Sequence, residues 1–576
     1  MTKKNIFRSI KENPKPWQLA VIVLCAIGIL CLLFFGFLRH KTNVTPSGQS
    51  PTYSVFYENC VPKYDRNDVD FVNSDVREVQ VGTDQKYLIN HSRGFALGFP
   101  LDAEFDFSAA QEYIRVHCEN MSCVVSKEYT VYTDGKLTKQ YVDESLHKFI
   151  LNDKFRQHNK ITLLKNSVEK IGDYWMQMVA LERTPAPGSE VKYNTYVYCY
   201  IYTDSTMFYR LMFKLDDYND KNLETIYKTL YSFSENVPVV GVSSTFTDFK
   251  PVPSENWNKE TRDFYNELSN TDTCKWGIYT PWAVFDNDFT NIHKLEKKVD
   301  TKFEGVLEYK YYWDDMPIEG MKKAHEEGKV IELTLQVSTI MNEDLDGYTP
   351  MFDLIDGVFD ERIRKTARQI ADFGHPVLFR LNNEMNSDWT SYSSSVCLTD
   401  PEIFIEGWRR IYRIFEEEGV KNAIWVFNPN NESFPPNGYN HSTAFYPGNE
   451  YVHVFGITGY NTGSYYEKVN GEKWRSFDDI YTEIYEKNKD IYGEFPWIIT
   501  EFSSSSVGGD KEKWISDMFR DLKKFPNIKM AFWFSSADYE KLPDGTKVVA
   551  RPYWLDETDG TARAFSEGLK KAQSGK

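Results

Sequence analysis

Between residues 276 and 534 a short apolar run recurs eight times, most often followed by a longer stretch with helical spacing, and this alternation limits the fold more than any other feature of the chain. The runs are WGIY (276–279), FEGVLEY (303–309), VIELTLQV (330–337), VLFRL (377–381), AIWVF (423–427), VFGITGY (454–460), WIITEF (497–502) and MAFWF (530–534). Helical patterns over Asp360–Phe373, Pro401–Gly419, Ser476–Tyr492 and Lys511–Phe525 lie between them, and Thr561–Ala572 closes the series. Short apolar runs joined by helical segments read as buried parallel strands. Eight of them over about 300 residues predict a closed (β/α)8 TIM barrel, a fold that keeps its catalytic groups just past the C-terminal ends of the strands.

Two of those ends carry a carboxylate. Glu384 follows the fourth run in VLFRLNNEMNSDW, and Glu501 lies near the end of the seventh in WIITEFSSSS. Acidic side chains are seldom buried without partners. An ion pair with a nearby arginine would account for one such Glu. Two of them, Glu384 just past strand four and Glu501 one residue before the end of run seven, flanked by Asn, Ser and aromatic residues, point to paired-carboxylate chemistry. In a retaining glycosidase the two carboxyl groups lie about 5–5.5 Å apart, one attacking the anomeric carbon while the other protonates the leaving oxygen and later activates water.

Taken in order, the segments RLNNEMNSDW (380–389), IWVFNPNN (424–431), YPGNEYVHVFGITGYN (446–461) and WIITEF (497–502) resemble glycoside hydrolase family 26, over roughly Thr273 to Glu567. The resemblance implies a retaining barrel glycosidase of the β-mannanase kind, with Glu384 as general acid/base and Glu501 as nucleophile. It also implies that Arg380 is the arginine four residues before the acid and that Tyr460 hydrogen-bonds the nucleophile. Trp389 is the aromatic five residues after the acid, and Trp533 the strand-eight aromatic beneath the sugar at the cleavage point. The family usually has His immediately before the acid/base. Here that residue is Asn383, as in the wider clan, where the Asn bonds the sugar 2-hydroxyl. Because that hydroxyl is axial in mannose and equatorial in glucose and xylose, the reaction class carries over while the sugar stays open among β-mannan, mixed-linkage β-glucan and β-1,3-xylan. His453 and Thr458 stand where acidic residues are frequent in the family. Trp276 and Trp313 are further candidate stacking platforms, and Asn430 and Asn431 either line the cleft or form a turn. His375, before strand four, belongs to the opposite end of the barrel.

The rest of the chain sets the barrel's surroundings. Leu19 to Leu38 is an uncharged apolar stretch long enough to span a bilayer. Lys3, Lys4, Arg8, Lys11 and Lys15 precede it and only Arg39 and Lys41 closely follow, so the positive-inside rule puts the N-terminus in the cytoplasm and the rest outside. This reading gives a cytoplasmic tail (1–16), a transmembrane helix (17–38), a polar linker (39–52), an α+β domain for binding or spacing (53–236), a second linker (237–271) and the barrel (272–573). Within the α+β domain, strand patterns run over Trp175–Leu181, Tyr193–Tyr202 and Met207–Phe213, with helical ones near Asp143–Leu151 and Leu223–Phe233. The GFALGFP opening, late strands and final helix of that domain resemble the PsbP-like fold. Cys118 and Cys123 form either a local disulfide or two separate thiols. No spacing supports a zinc site, and no metal or organic cofactor is expected. A net charge of −17 argues against nucleic acid as a partner and leaves polysaccharide and membrane. The expected protein is thus a membrane-anchored, extracellular, endo-acting β-glycoside hydrolase. The alternatives are a tethered hydrolase or transglycosylase that processes the cell's own exopolysaccharide, and a non-catalytic polysaccharide-binding protein.

Overall fold

The computed structural model describes residues 77–130, 137–237, 239, 249–339 and 347–573, together with the backbone of a strand pair, Ser54–Glu58 and Val61–Asp65. The expected cytoplasmic tail, membrane helix and first linker lie outside the described residues. Among the described residues no helix is long and apolar enough to cross a membrane.

All eight apolar runs are strands. They span Lys275–Tyr279, Gly305–Tyr311, Val330–Gln336, Val377–Leu381, Ala423–Phe427, Val454–Asn461, Trp497–Ser504 and Ile528–Phe534, and they pair in chain order until the eighth closes on the first. Side chains alternate between the barrel interior and the surrounding helices. On strand four Val377, Phe379 and Leu381 join the outer core, whereas Leu378 joins the inner one. The inner core also holds Leu307, Ile424, Val454, Ile498, Met530 and Phe532. Phe532 fits because strands one and two carry glycine beside it: a Cβ on Gly277 would lie 2.2 Å from its ring, and one on Gly305 would lie 2.8 Å from it.

The segment expected to be the second linker is only partly one. Residues 259–270 form a helix, Lys259–Asn270, capped by the Asn258 side chain, and its apolar residues Tyr265 and Leu268 join Trp257 in the inner core. The spacing of Tyr265 and Leu268, one turn apart, is the amphipathic signal that the Pro- and Ser-rich flank obscured.

The preceding domain is richer in β-structure than expected. A three-stranded sheet (Arg77–Val81, Lys86–Asn90, Phe95–Phe99) accompanies a seven-stranded antiparallel one. The spatial order of the larger sheet is Glu104–Asp106, Tyr113–His117, Met121–Tyr129, Met207–Leu215, Thr195–Tyr202, Tyr174–Arg183 and Ile161–Ile171. The helical pattern near 143–151 shrinks to a short helix, Thr138–Tyr141, and a π turn, Val142–Leu146, while the later one forms Asp220–Tyr231. Cys118 and Cys123 are separate thiols, as are Cys199, Cys274 and Cys397.

This sheet is covered on both faces, which is why its central strands are buried almost end to end. Val197, Cys199 and Ile201 pack with Ile226 and Leu230 of the helix, whereas Tyr196, Tyr198 and Tyr200 point the other way and share a continuous core with the barrel. The domain therefore packs directly against the barrel. Buried ion pairs cross the boundary: Arg183 donates to both Asp356 oxygens at 2.6 and 2.9 Å, and Lys214 lies 3.1 Å from Asp400. Removing one partner of such a pair costs about 3–5 kcal/mol, because the other charge stays buried alone.

Candidate active site

The strand alternation that builds the core also assembles the site. At the C-terminal ends, the inward positions are Tyr279, Tyr309, Thr334 and Gln336, Arg380, Asn428, Thr458 and Tyr460, and Phe534. Glu501 joins them through an irregularity. Trp497 and Ile499 point outward and Ile498 inward, so strict alternation would send Glu501 outward. The register shifts on both sides of the strand, between Ile457 and Thr458 and between Ile499 and Phe502. A bulge of this kind re-aims a side chain, and here it turns Glu501 into the barrel while Phe502 returns to the outer core.

Four groups reach the Glu501 carboxylate. Tyr309 and Tyr460 donate their hydroxyls to Oε2 at 2.5 and 3.0 Å, and Arg380 Nη1 donates to Oε1 at 3.0 Å. Asn383 Nδ2 stands 3.5 Å from Oε1, at the limit of a hydrogen bond. Arg380 is fully buried and pinned from below. Its Nε donates to Thr334 Oγ1 at 2.7 Å and lies 2.8 Å from Glu332 Oε1, and its Nη1 also donates to Asn428 Oδ1 at 2.8 Å. The two acids pull its pKa further up, while burial drives that of Glu332 to about 8. The Asn383 amide is oriented because its Oδ1 accepts from Gln336 Nε2 at 3.0 Å and from the Tyr392 hydroxyl at 3.2 Å, which leaves Nδ2 facing the cleft.

Glu384 stands on the cleft wall, partly exposed, in left-handed backbone (φ 58°) next to Asn383 and Asn382, itself at φ 46°. Strained residues of this kind persist where the surroundings over-determine them. Its backbone N–H donates to the Asn428 carbonyl at 2.8 Å. The surrounding protein, and then the charge of Glu501, push its carboxyl up to about 8 against the opposing pull of Arg380. One carboxyl is thus biased to hold a proton near neutrality, next to a carboxylate held by two hydroxyls and a guanidinium. That is the pairing acid–nucleophile catalysis requires.

The structure brings Arg380, Asn383, Glu384, Tyr460 and Glu501 together, with Trp389 at the rim, 38% exposed and 5.4 Å from the Phe434 ring. It does not bring Trp533. That side chain is 0% exposed on the outer face of strand eight, packed on Phe502, Trp514 and Phe565, with its Nε1 donating to the Tyr553 carbonyl. The inward aromatic is its neighbour Phe534, stacked on Tyr279 at 4.6 Å and edge-on to Tyr460. Strand eight has no bulge at this point to reverse the alternation. Trp276 is buried outside in the same way, against Phe519 and Phe565, while Trp313 is partly exposed and stacked on Tyr311. Asn430 and Asn431 line a cavity of about 600 Å³ with Asn386, Ser433, Phe434 and Thr458. His453 is buried, its Nδ1 accepting from the Trp425 N–H.

Sequence reasoning missed Tyr309, Glu332, Thr334, Gln336, Tyr392 and Asn428. Part of the signal was present: in VIELTLQV the polar residues fall at 332, 334 and 336, the positions that face inward once Arg380 does. One cluster elsewhere has metal-binding residue types. Glu260, His325 and His375 meet at the other end of the barrel, with His375 Nδ1 2.8 Å from Glu260 Oε2. The two imidazoles stack 3.5 Å apart and only 14° from parallel, so no single ion can lie in both ring planes. The cluster instead ties the helix Lys259–Asn270 to the barrel.

The sequence model of glycosyl hydrolase family 26 matches residues 296–483. Endoglucanase H of Acetivibrio thermocellus is 33% identical over 187 residues, which cover 32% of this chain and 20% of that protein. A mannan endo-1,4-beta-mannosidase of Bacillus subtilis is 35% identical over 107 residues, covering 17% of this chain and 27% of its own. The chain spans under a third of the length of the curated relatives it matches. Among solved structures, the catalytic domain of a Bacillus sp. JAMB-750 endo-beta-1,4-mannanase aligns over 55% of this chain and 91% of its own, with 17% identity and a TM-score of 0.42. Residues 296–483 of the barrel, with strand four and Glu384 among them, thus match glycosyl hydrolase family 26, as the motifs within that stretch led us to expect.

Proposed function

We propose that the chain is an endo-acting β-glycoside hydrolase that cleaves a β-linked polysaccharide by double displacement with retention, and that residues 17–38 tether it to the cell membrane with the barrel outside. The observation that carries the reading is the unequal state of the two glutamates: Glu384 is biased toward its protonated form, while Glu501 accepts from Tyr309, Tyr460 and Arg380. In the first step a Glu501 oxygen attacks the anomeric carbon as the bond to the leaving oxygen breaks, and the Glu384 proton passes to that oxygen. In the second step the Glu384 carboxylate takes a proton from water as the water oxygen displaces Glu501, which restores both groups. Asn383 Nδ2, loosely placed beside Glu501, suits a sugar hydroxyl next to the anomeric carbon. A surface that only bound polysaccharide would have no use for a matched acid and nucleophile.

The names of the relatives support endo cleavage of a glucan or of a β-1,4-linked mannan. The test is reducing-end release by the purified protein from β-mannan, mixed-linkage β-glucan, β-1,3-xylan and the producing cell's own matrix. Internal cleavage of at least one, lost in Glu501→Ala, is expected; failure on all four would overturn the reading. Protease added to intact cells should remove the chain beyond about residue 41, and a protected full-length chain would refute the anchor.

A further inference from the structure

The loop from barrel strand four to its helix, residues 382–401, carries Glu384. Among the described residues no hydrogen bond holds the Glu384 carboxyl, so backbone and packing set its place in the cleft. Near the far end of the loop, Leu398 and Thr399 are both left-handed, at φ 56° and 51°. Residues with a Cβ adopt that conformation where their surroundings impose it. The Thr399 N–H donates to the Ser394 carbonyl within the loop at 2.7 Å, and two side chains of the sheet domain hold the turn from outside. Tyr198, from the strand Thr195–Tyr202, donates its hydroxyl to the Leu398 carbonyl at 2.5 Å. Arg210, from the adjacent strand Met207–Leu215, donates Nη2 to the carbonyl and the hydroxyl of Thr399 at 2.8 and 2.9 Å. Arg210 is fully buried, and its guanidinium lies 4.0 Å from the centre of the Tyr439 ring.

Tyr439 belongs to a second loop held from the same side. Glu128 accepts from Asn437 Nδ2 and from the backbone N–H groups of Gly438 and Tyr439 at 3.0, 2.9 and 3.3 Å, and Tyr141 donates to Asn437 Oδ1 at 2.5 Å. The two loops are laced together beside the acid. Asn440 Nδ2 donates to the Asn386 carbonyl at 2.9 Å and its Oδ1 accepts from Ser394 at 2.5 Å, while Tyr392 donates to the Asn383 carbonyl at 2.8 Å. The chain on both sides of Glu384 is therefore fastened to loops that the sheet domain grips.

We infer that the sheet domain is part of the catalytic unit, and that Arg210, seconded by Tyr198, is a positioning residue that holds the Glu384 loop where the carboxyl meets the leaving oxygen. The inference rests on the reading of Glu384 as acid/base. A tethering spacer would need no fully buried arginine bonded to the far end of the loop that carries the acid.

The test uses the full chain and two substrates. Arg210→Met keeps the bulk and removes the charge and donors; Tyr198→Phe removes one hydroxyl. For Arg210→Met, kcat/KM on the polysaccharide should fall about 10- to 100-fold, the scale of a misplaced catalytic group. Glycosyl-enzyme formation from a dinitrophenyl β-glycoside of the same sugar, which needs no proton donor, should change less than about threefold. Amide exchange in peptides from 382–400 should speed up, with peptides from 497–504 unchanged. Parallel loss on both substrates, or unaltered exchange in 382–400, would overturn the inference. If Arg210→Met does not fold, Tyr198→Phe carries the test, with a smaller loss of the same selectivity expected and an unselective effect counting against it. Glu384→Ala is the control. If it lacks the selectivity, the acid/base reading fails; if it is selective and the sheet-domain variants are not, only the role of the sheet domain fails.

Discussion

The raised pKa of Glu384 makes a quantitative demand on the pH dependence of the first chemical step. The carboxyl is lifted from 4.5 to about 8 by its surroundings and by Glu501. At neutral pH it is then biased toward its protonated form, whereas an ordinary glutamate is almost entirely ionised. The environment thus supplies more of the acid form at neutrality than an ordinary glutamate would. Since the acid form disappears as pH rises through 8, kcat/KM on an oligosaccharide should hold level to about pH 7.5 and then fall about tenfold per unit. Leaving-group chemistry separates this limb from unfolding or loss of binding. With a dinitrophenyl glycoside the departing phenolate needs no proton, so the same step should lose its limb near 8. The assay is kcat/KM for both substrates in constant-ionic-strength buffers between pH 5 and 9.5. A basic limb shared by both substrates, or none for the oligosaccharide, would refute the assignment of the proton to Glu384.

Glu332 is raised from 4.5 to about 8 beneath Arg380, so in the folded state it holds a proton that the unfolded chain releases above its ordinary value, and stability falls as pH rises through that window. The slope is about 1.4 kcal/mol per pH unit for one proton. Glu332→Gln has no such proton to lose, so its Tm relative to wild type should rise between about pH 5.5 and 7.5, and a constant offset would contradict the argument. Trp389→Ala should raise KM with little change in Tm. Trp533→Leu should do the reverse and cost about 2–4 kcal/mol of stability, because that ring fills the outer core. A raised KM for Trp533→Leu with unchanged Tm would instead put that ring in the cleft.

Much of the barrel was legible because its signal is local. A strand buried on both faces reads as a continuous apolar run, and helix Asp360–Phe373 appears at the expected bounds because it is amphipathic and ends at Gly374 in left-handed backbone. The carboxylate positions were legible because strand ends are where this fold keeps its chemistry. What failed was parity. Trp533 and Phe534 are adjacent aromatics at one strand end, and only the register decides which faces the cleft. Glu501 faces it through a bulge that apolar patterning does not reveal. Docking of the sheet domain joins residues about 190 apart, such as Arg210 and Thr399, beyond any periodicity. Its one local trace was the row Tyr196, Tyr198, Tyr200, which alternates with an already apolar face.

In the proposed double displacement Glu501 forms a covalent bond to the sugar while Glu384 handles the proton. A 2-deoxy-2-fluoro β-glycoside with an activated leaving group slows release of the glycosyl-enzyme, so peptide mass spectrometry can locate the bond. Proton NMR of the first product from an ordinary β-linked oligosaccharide reports the configuration. Label is expected on Glu501, within WIITEF, with the β anomer appearing before mutarotation. Label on any other carboxylate, or an initial α anomer, would contradict it.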